Sequence, residues 1–167
     1  DAVFADVRVD WAANRLLVVL SRPIQDRGPA AVTRTHSRIR REAAGPLSRA
    51  IGRIRFDSLT SIEDRSLEDR AIAESVLSLA DAAEQRLYRP SEDLSTVEVH
   101  YELRLFPSVG ERFVEHEFPR PLPRHVGPAT TEQYTGLVIY AADPLPVHGT
   151  GQEATLTPAL FPGLYDQ

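Results

Sequence analysis

The stretch TVEVHYELRLF, residues 96–106, alternates apolar and polar side chains along its whole length. Successive side chains of a β-strand point to opposite faces, so this period of two predicts a strand with one buried and one polar face. The predicted buried face carries five apolar side chains: Val97, Val99, Tyr101, Leu103 and Leu105. A strand of this kind is typical of a sheet that is covered on one side only.

The N-terminal residues predict a β-hairpin. Residues 3–11 alternate in the same way as residues 96–106, and residues 16–20 form a short, continuously apolar stretch. Between them, residues 12–15 have the composition of a turn. We therefore expect two antiparallel strands here.

Two further strands are expected later in the chain. After a turn at residues 107–110, residues 113–118 are predicted to return as the partner of strand 96–106. Residues 137–141 form the one clear strand pattern after about residue 119, in a part that holds eight of the 13 prolines and is predicted to be extended. Exposed edges at residues 113–118 or 137–141 offer a route to assembly by strand addition.

Two helices are predicted between the hairpin and strand 96–106. Apolar residues recur three or four apart over residues 32–54, with a kink or restart expected at Gly45-Pro46 because proline lacks a backbone donor. The second helix is predicted over residues 61–86, with Ser61 beginning a capping box.

Together these elements predict one α+β domain over residues 1–167. We expect a mixed or antiparallel sheet of about four to six strands with two helices packed on one face. The C-terminal part of this domain, from about residue 119, is rich in proline and is predicted to be extended.

The composition excludes several kinds of chemistry. The chain has no cysteine, which excludes disulfides, thiolate metal sites and a cysteine nucleophile. All 19 basic residues are arginine, so no lysine is present for Schiff-base chemistry. The formal net charge of −5 argues against nucleic acid as the main partner. No apolar run approaches the ~20 residues that a membrane-spanning helix needs.

The two predicted helices carry opposite charge. Residues 27–55 contain eight arginines and one acid, whereas residues 57–93 contain ten acids and four arginines. Arg34, Arg38 and Arg41 fall on one helical face and form a candidate surface for phosphate, peptidoglycan carboxylates or anionic lipid headgroups. The favoured alternative is a solvated face that the acidic second helix neutralises.

A polar triplet lies on the outer face of the predicted strand 96–106. It consists of Glu98, His100 and Glu102, and His116 falls on the expected partner strand. Zinc needs three or four convergent ligands, whereas this alternation is typical of a solvated strand face, which we favour over a metal-dependent hydrolase using His100 and His116. The sequence holds no nucleophile elbow, zinc-protease helix or phosphate-binding loop. It therefore predicts no catalytic, cofactor-binding or metal-binding residues and no enzyme.

The C-terminal part offers a second candidate surface. Tyr134, Tyr140 and His148 could rim an apolar cleft covered by the proline-rich segment. A concave apolar site with a few polar groups is typical of small-ligand binding. A periplasmic ligand-binding module is therefore the alternative function.

Three motifs carry a resemblance to a known family. They are GPAA at residues 28–31, which enters a helix rich in alanine and arginine, YTGLVI at residues 134–139 and PALFP at residues 158–162. The pattern resembles the twenty-kilodalton outer-membrane lipoprotein family, which is related to the bacterial flagellar assembly proteins of the T and P types. Tyr140 stands where that family usually has aspartate.

The resemblance implies an exported bacterial protein of the periplasm or outer membrane, often anchored by a lipid on an upstream cysteine. It implies a non-catalytic role in structure or assembly with protein partners of the cell envelope. A link to the flagellar apparatus and self-association are narrower expectations. No cofactor and no nucleic-acid partner are expected, and membrane contact is expected only through the lipid anchor.

Overall fold

The computed structural model describes residues 3–25, 28, 30–114, 143–146 and 151–162. Its contacts divide the chain into two compact units. The first is formed by Asp1–Val114 with Pro158–Gln167, and the second by Glu115–Thr157. A single domain over the whole chain stays a prediction.

The described part of the first unit contains four strands and four α-helices. In chain order they are β1 (Phe4–Asp10), β2 (Arg15–Pro23), α1 (Ala31–Glu42), α2 (Ala44–Gly52), α3 (Ile62–Glu68), α4 (Arg70–Asp81), β3 (Glu84–Pro90) and β4 (Thr96–Arg104). In the second unit, β5 (Leu145–Pro146) pairs antiparallel with β6 (Glu153–Ala154). The predicted α+β class is confirmed.

β4 is an inner strand of a four-stranded antiparallel sheet with the order β1-β2-β4-β3. Its register with β2 places Tyr101 beside Val18 and Val99 beside Leu20. The apolar faces of the two strands therefore coincide, and Leu20 and Val99 are fully buried. The alternation correctly predicted the strand and the buried face of residues 97–103, but the strand ends at Arg104, two residues earlier than predicted, and the buried Leu105 lies in the helical turn that follows.

Helices α1 and α2 cover this apolar face. Both pack against β2, and α1 also packs against β4. Their apolar stripes bury Ile39, Leu47 and Ile51 in the same cluster as the strand side chains. Full burial of one such side chain contributes about 1.5–3 kcal/mol, so the contact between helices and sheet is the main core of this unit.

Each predicted helix is divided in two, for local reasons. Pro46 lies in the first turn of α2, where a missing backbone N–H removes no intrahelical hydrogen bond, so the expected restart is confirmed. Ser61 and Asp64 form the predicted capping box of α3. Asp69 has extended backbone that ends α3, and its carboxylate caps α4 by accepting from the N–H of Ala71 at 2.8 Å. Capping chemistry thus explains where the later helices begin.

The prediction that the second helix reaches Arg86 is wrong. Helix α4 ends at Asp81, and the chain continues as β3, which pairs with β4 on the side away from β2. Without β3 this side of β4 would be an open edge, so strand pairing outweighs the helical preference of residues 82–86. Tyr88 of β3 also stacks on His36 of α1, with ring centroids 4.3 Å apart.

The predicted return strand at residues 113–118 is wrong where the structure describes it. A π-helical turn, Leu105–Val109, and a short 3₁₀ turn, Gly110–Arg112, follow β4 instead. Phe113 is buried but lies in a turn. The remaining residues, 115–118, lie outside the described residues, as does the predicted strand 137–141.

Asn14, in the β1–β2 turn, holds the start of these helical turns. Its side-chain amide donates to the carbonyl of Phe106 at 2.7 Å, and its side-chain oxygen accepts from the N–H of Phe106 at 2.9 Å. The N–H of Leu105 donates to the backbone carbonyl of Asn14 at 3.1 Å. A return strand would also need a free edge of β4, but β4 is already paired with β2 on one side and with β3 on the other.

Residues 158–162 belong to the same unit as the four-stranded sheet. The N–H groups of Leu160 and Phe161 donate to the carbonyls of Arg55 and Phe56 at 3.0 and 2.8 Å. Leu160 is buried in the core cluster, and the rings of Phe161 and Phe56 lie 4.9 Å apart. The PALFP motif therefore supplies a core side chain.

Candidate anion-binding cleft

A cleft of about 430 Å³ is lined by α1 and by the C-terminal end of β2. Its described lining includes four arginines: Arg22, Arg34, Arg38 and Arg41. Three hydroxyl side chains also line it: Thr33, Thr35 and Ser37. The structure thus brings the three predicted stripe arginines into one cleft and adds a fourth from the sheet.

The geometry of α1 explains why the stripe faces the cleft. Ala31 and Ile39 are buried on the sheet side of the helix. Arg34, Arg38 and Arg41 follow each other at spacings of four and three residues, so they share another face of the same helix. The same helical periodicity therefore places the apolar side chains of α1 on one face and the arginines on another.

Arg22 enters the cleft from β2. It lies on the buried face of that strand, next in the alternation after Leu16, Val18 and Leu20, and it is 4 % exposed. Its Nη1 donates to Oε2 of Glu42 at 2.6 Å. A buried guanidinium needs such a counter-charge, because an unpaired buried ion is strongly destabilising.

Glu42 also contacts a second cleft arginine. Its Oε1 accepts from Nε of Arg38 at 3.2 Å, so the two carboxylate oxygens bridge two guanidinium groups. The hydrogen bond from Arg22 is the main cause that lowers the pKa of Glu42 below its usual value, and Arg38 adds to it. Glu42 therefore remains an anion through the neutral and mildly acidic range.

The expectation that the acidic helices neutralise the arginine stripe is wrong for Arg38 and Arg41. Helices α3 and α4 pack on each other and on α2. The ion pairs Arg65–Glu68 and Arg70–Glu74 lie within these acidic helices. Arg38 pairs with Glu42 of its own helix, and Arg41 makes no hydrogen bond or ion pair with the residues that the structure describes.

The polar triplet lies on the sheet face opposite α1 and α2. Glu98 pairs with Arg89 at 3.3 Å, and Oε2 of Glu102 lies 3.6 Å from Nη1 of Arg15. His100 lies 3.6 Å from Glu98. Over the described residues, no group of three or more His, Asp or Glu side chains is arranged to hold a metal ion. Arginines thus engage the carboxylates that the metal hypothesis needed, and His116 lies outside the described residues.

The second predicted surface is not described by the structure. Tyr134, Tyr140 and His148 all lie among residues 115–142 and 147–150, outside the described ranges. The apolar cleft that they were expected to rim stays a prediction.

Arg22, which lines the cleft, and its partner Glu42 were not predicted from the sequence. The sequence does contain a signal for Arg22, because the alternation of β2 places this residue on the buried face, where an apolar side chain would be expected. A charged residue on the buried face of a strand indicates a partner of opposite charge nearby. The identity of the partner depends on where the end of α1 meets the end of β2, which no local pattern encodes.

The described residues thus define an α+β fold with an arginine-lined cleft beside its sheet. A family model for the N-terminal domain of Treponema pallidum Tp0624 matches residues 2–112, more than half of the chain, and the chain belongs to this family. No curated protein matches the chain. None of the described helices is long and apolar enough to cross a membrane.

Proposed function

We propose that this chain is a non-catalytic binding and assembly protein of the cell envelope that holds an anionic envelope component in the arginine cleft. The observation that carries the proposal is the cleft itself. Its described lining has four arginines and no acidic side chain. Its volume also falls within the roughly 300–1,000 Å³ of ligand pockets.

The chemistry of the lining favours binding over catalysis. A guanidinium presents several donors in a fixed fork and binds carboxylate or phosphate through two hydrogen bonds. It does not give up its proton near neutral pH, so it is a poor acid or base. The other polar groups of the described lining are hydroxyls and the amide of Gln25, which suit positioning of an anion.

The envelope location rests on the resemblance carried by residues 134–139 and 158–162. It supports a periplasmic or outer-membrane-associated protein, with membrane contact through a lipid on an upstream cysteine. A place in the flagellar apparatus is the narrower form of the same proposal. The net charge of −5 supports a partner other than nucleic acid.

Loss of two cleft arginines is expected to remove envelope binding. The variant Arg38→Gln/Arg41→Gln should lower binding to purified peptidoglycan sacculi by about a hundredfold or more at low salt, because each of the two lost charge-assisted hydrogen bonds weakens binding by about 1.5–3 kcal/mol. Co-sedimentation measures the effect. Vesicles that contain an anionic phospholipid serve as the second target and distinguish carboxylate from phosphate groups.

A matched control is Arg53→Gln/Arg70→Gln, which changes the net charge equally at exposed positions outside the described lining. It should bind within about twofold of the unsubstituted protein, since screened charges act weakly at a distance. The proposal is overturned if neither sacculi nor vesicles bind, or if the two double variants lose binding equally.

Self-association through β1 is a further part of the proposal. In the described sheet β1 and β3 are the outer strands. Both strands carry charged side chains, but β3 also has Pro90 and a register shift after Gln85, features that discourage strand addition, whereas β1 has neither. We therefore assign strand addition to β1 rather than to residues 113–118.

Sedimentation velocity tests this assignment. The sedimentation coefficient should rise with protein concentration, and it should do so equally for Arg38→Gln/Arg41→Gln, because strand addition uses backbone hydrogen bonds. A coefficient that stays constant over the accessible concentrations contradicts self-association. A rise that the arginine substitutions abolish assigns association to the cleft instead of β1.

A further inference from the structure

Glu42 shows how the cleft holds a carboxylate. One of its oxygens takes a hydrogen bond from Arg22 and the other takes one from Arg38. A planar group with two acceptor oxygens is thereby shared between two guanidinium groups, each of which gives one charge-assisted hydrogen bond.

The two bonds of Glu42 differ in how easily they exchange. The side chain of Arg22 is 5 % exposed and its bond to Glu42 is 2.6 Å long, so water competes little for this contact. The side chain of Arg38 is 46 % exposed and its bond is 3.2 Å long. Ion pairs exposed to this degree are weak, because water and salt compete for both partners. Arg38 can therefore change its partner while Arg22 keeps Glu42.

Arg41 is placed to share a second carboxylate with Arg38. The two residues are three apart on α1, a spacing that brings side chains together on one helical face. Both line the cleft, and Arg41 has no bonded partner among the residues that the structure describes. Arg22 and Arg38 share the carboxylate of Glu42. Arg38 and Arg41 form a second, more exposed pair of guanidinium groups that can share another carboxylate in the same way.

We propose that the cleft recognises carboxylate groups and that Glu42 is its built-in competitor. An incoming carboxylate takes Arg38 from Glu42 and is shared with Arg41, while Glu42 remains on Arg22. The fitting partner is an acidic peptide segment, such as one that presents the free carboxylates of a peptide-bearing envelope polymer. The inference rests on the proposed function and adds the chemical class of the ligand and the residue that sets its affinity.

The charge of the whole chain favours a discrete acidic segment over an anionic membrane surface. The net charge is −5, so a broad, densely anionic surface repels most of the molecule. A single acidic segment that reaches the arginines meets mainly the local positive field. Binding to anionic vesicles alone is therefore an outcome that overturns the inference.

The substitution Glu42→Gln tests the competitor role. Glutamine keeps an amide oxygen for Arg22 but no longer attracts Arg38 as an anion. We expect about fourfold tighter binding of a fluorescent, N-acetylated tetraglutamate peptide at low salt, as one charge at about 5 Å in a water-like medium predicts. The matched control Glu74→Gln removes the same charge from α4, outside the described lining, and should change affinity less than about twofold.

Equal affinities for Glu42→Gln and Glu74→Gln overturn the competitor role. A phosphoserine peptide of equal charge that binds more tightly than tetraglutamate overturns the carboxylate class. Either result leaves the proposed function standing if binding to sacculi or vesicles still depends on Arg38 and Arg41. If neither sacculi nor vesicles bind through Arg38 and Arg41, the proposed function itself is wrong. Failure of the carboxylate inference can therefore be distinguished from failure of the proposed function.

A measurement on the unsubstituted protein covers the case in which Glu42→Gln does not fold. The arginine Nε–H resonances are followed by NMR while tetraglutamate is added. Those of Arg38 and Arg41 should shift with a common affinity, and that of Arg22 should stay in place. A shift of Arg22 equal to that of Arg38, or no shift in either Arg38 or Arg41, contradicts the exchange.

Discussion

Replacement of Leu160 with alanine is expected to lower the free energy of unfolding by about 3 kcal/mol, near the middle of the range for such changes in a packed core. Leu160 is 3 % exposed and packs in the cluster built by the sheet and the helices. Its N–H donates to the carbonyl of Arg55, and the next residue is bonded to Phe56. These backbone bonds limit any shift that would fill the cavity, so most of the loss should persist.

Urea unfolding followed by the fluorescence of Trp11 measures this loss. Trp11 is the single tryptophan and packs against the same cluster. Leu77→Ala on α4 is the matched control, since Leu77 is 58 % exposed and should cost less than about 1 kcal/mol. Equal losses at Leu160 and Leu77 would contradict the packing of residues 158–162 in the core.

Asn14→Ala is the second substitution for which we expect a large effect, about 2 kcal/mol of unfolding free energy. Asn14 has a φ of 56°, in the left-handed region, which costs alanine about 1 kcal/mol more than asparagine or glycine. The substitution also removes two hydrogen bonds to the backbone of Phe106. Each contributes about 0.5 kcal/mol at a partly exposed site, the low end of the usual range.

Asn14→Gly separates the two causes. Glycine adopts the left-handed conformation without strain but makes neither side-chain hydrogen bond, so it should lose about half as much as alanine. Urea unfolding of the three proteins gives the comparison. A glycine variant as stable as the unsubstituted protein contradicts the role of the hydrogen bonds, and one as unstable as the alanine variant contradicts the role of backbone strain.

Several parts of the fold could be predicted from the sequence because their causes are local. The alternation in β4 reports a strand with one buried face, whatever its neighbours are. Ser61 and Asp64 form a capping box within a single helical turn. Pro46 lacks a backbone N–H and is therefore tolerated only in the first turn of a helix, so a new helix begins just before it.

Other parts could not be predicted because distant residues decide them. Residues 84–86 have helical preference, but β4 offers them backbone partners and they extend as part of β3. The segment after β4 looks like a hairpin, yet Asn14, 92 residues away from Phe106, holds it in helical turns. Local preference in both segments is weaker than the hydrogen bonds that the rest of the unit supplies.

The candidate site divides in the same way. The spacing of Arg34, Arg38 and Arg41 depends only on helical periodicity, so the sequence by itself determined the basic stripe. Only the tertiary structure decided that Arg22 joins the stripe and that Glu42 is shared between Arg22 and Arg38. The physical reason is burial, because an arginine at a buried phase of β2 must find its counter-charge where another element ends beside it.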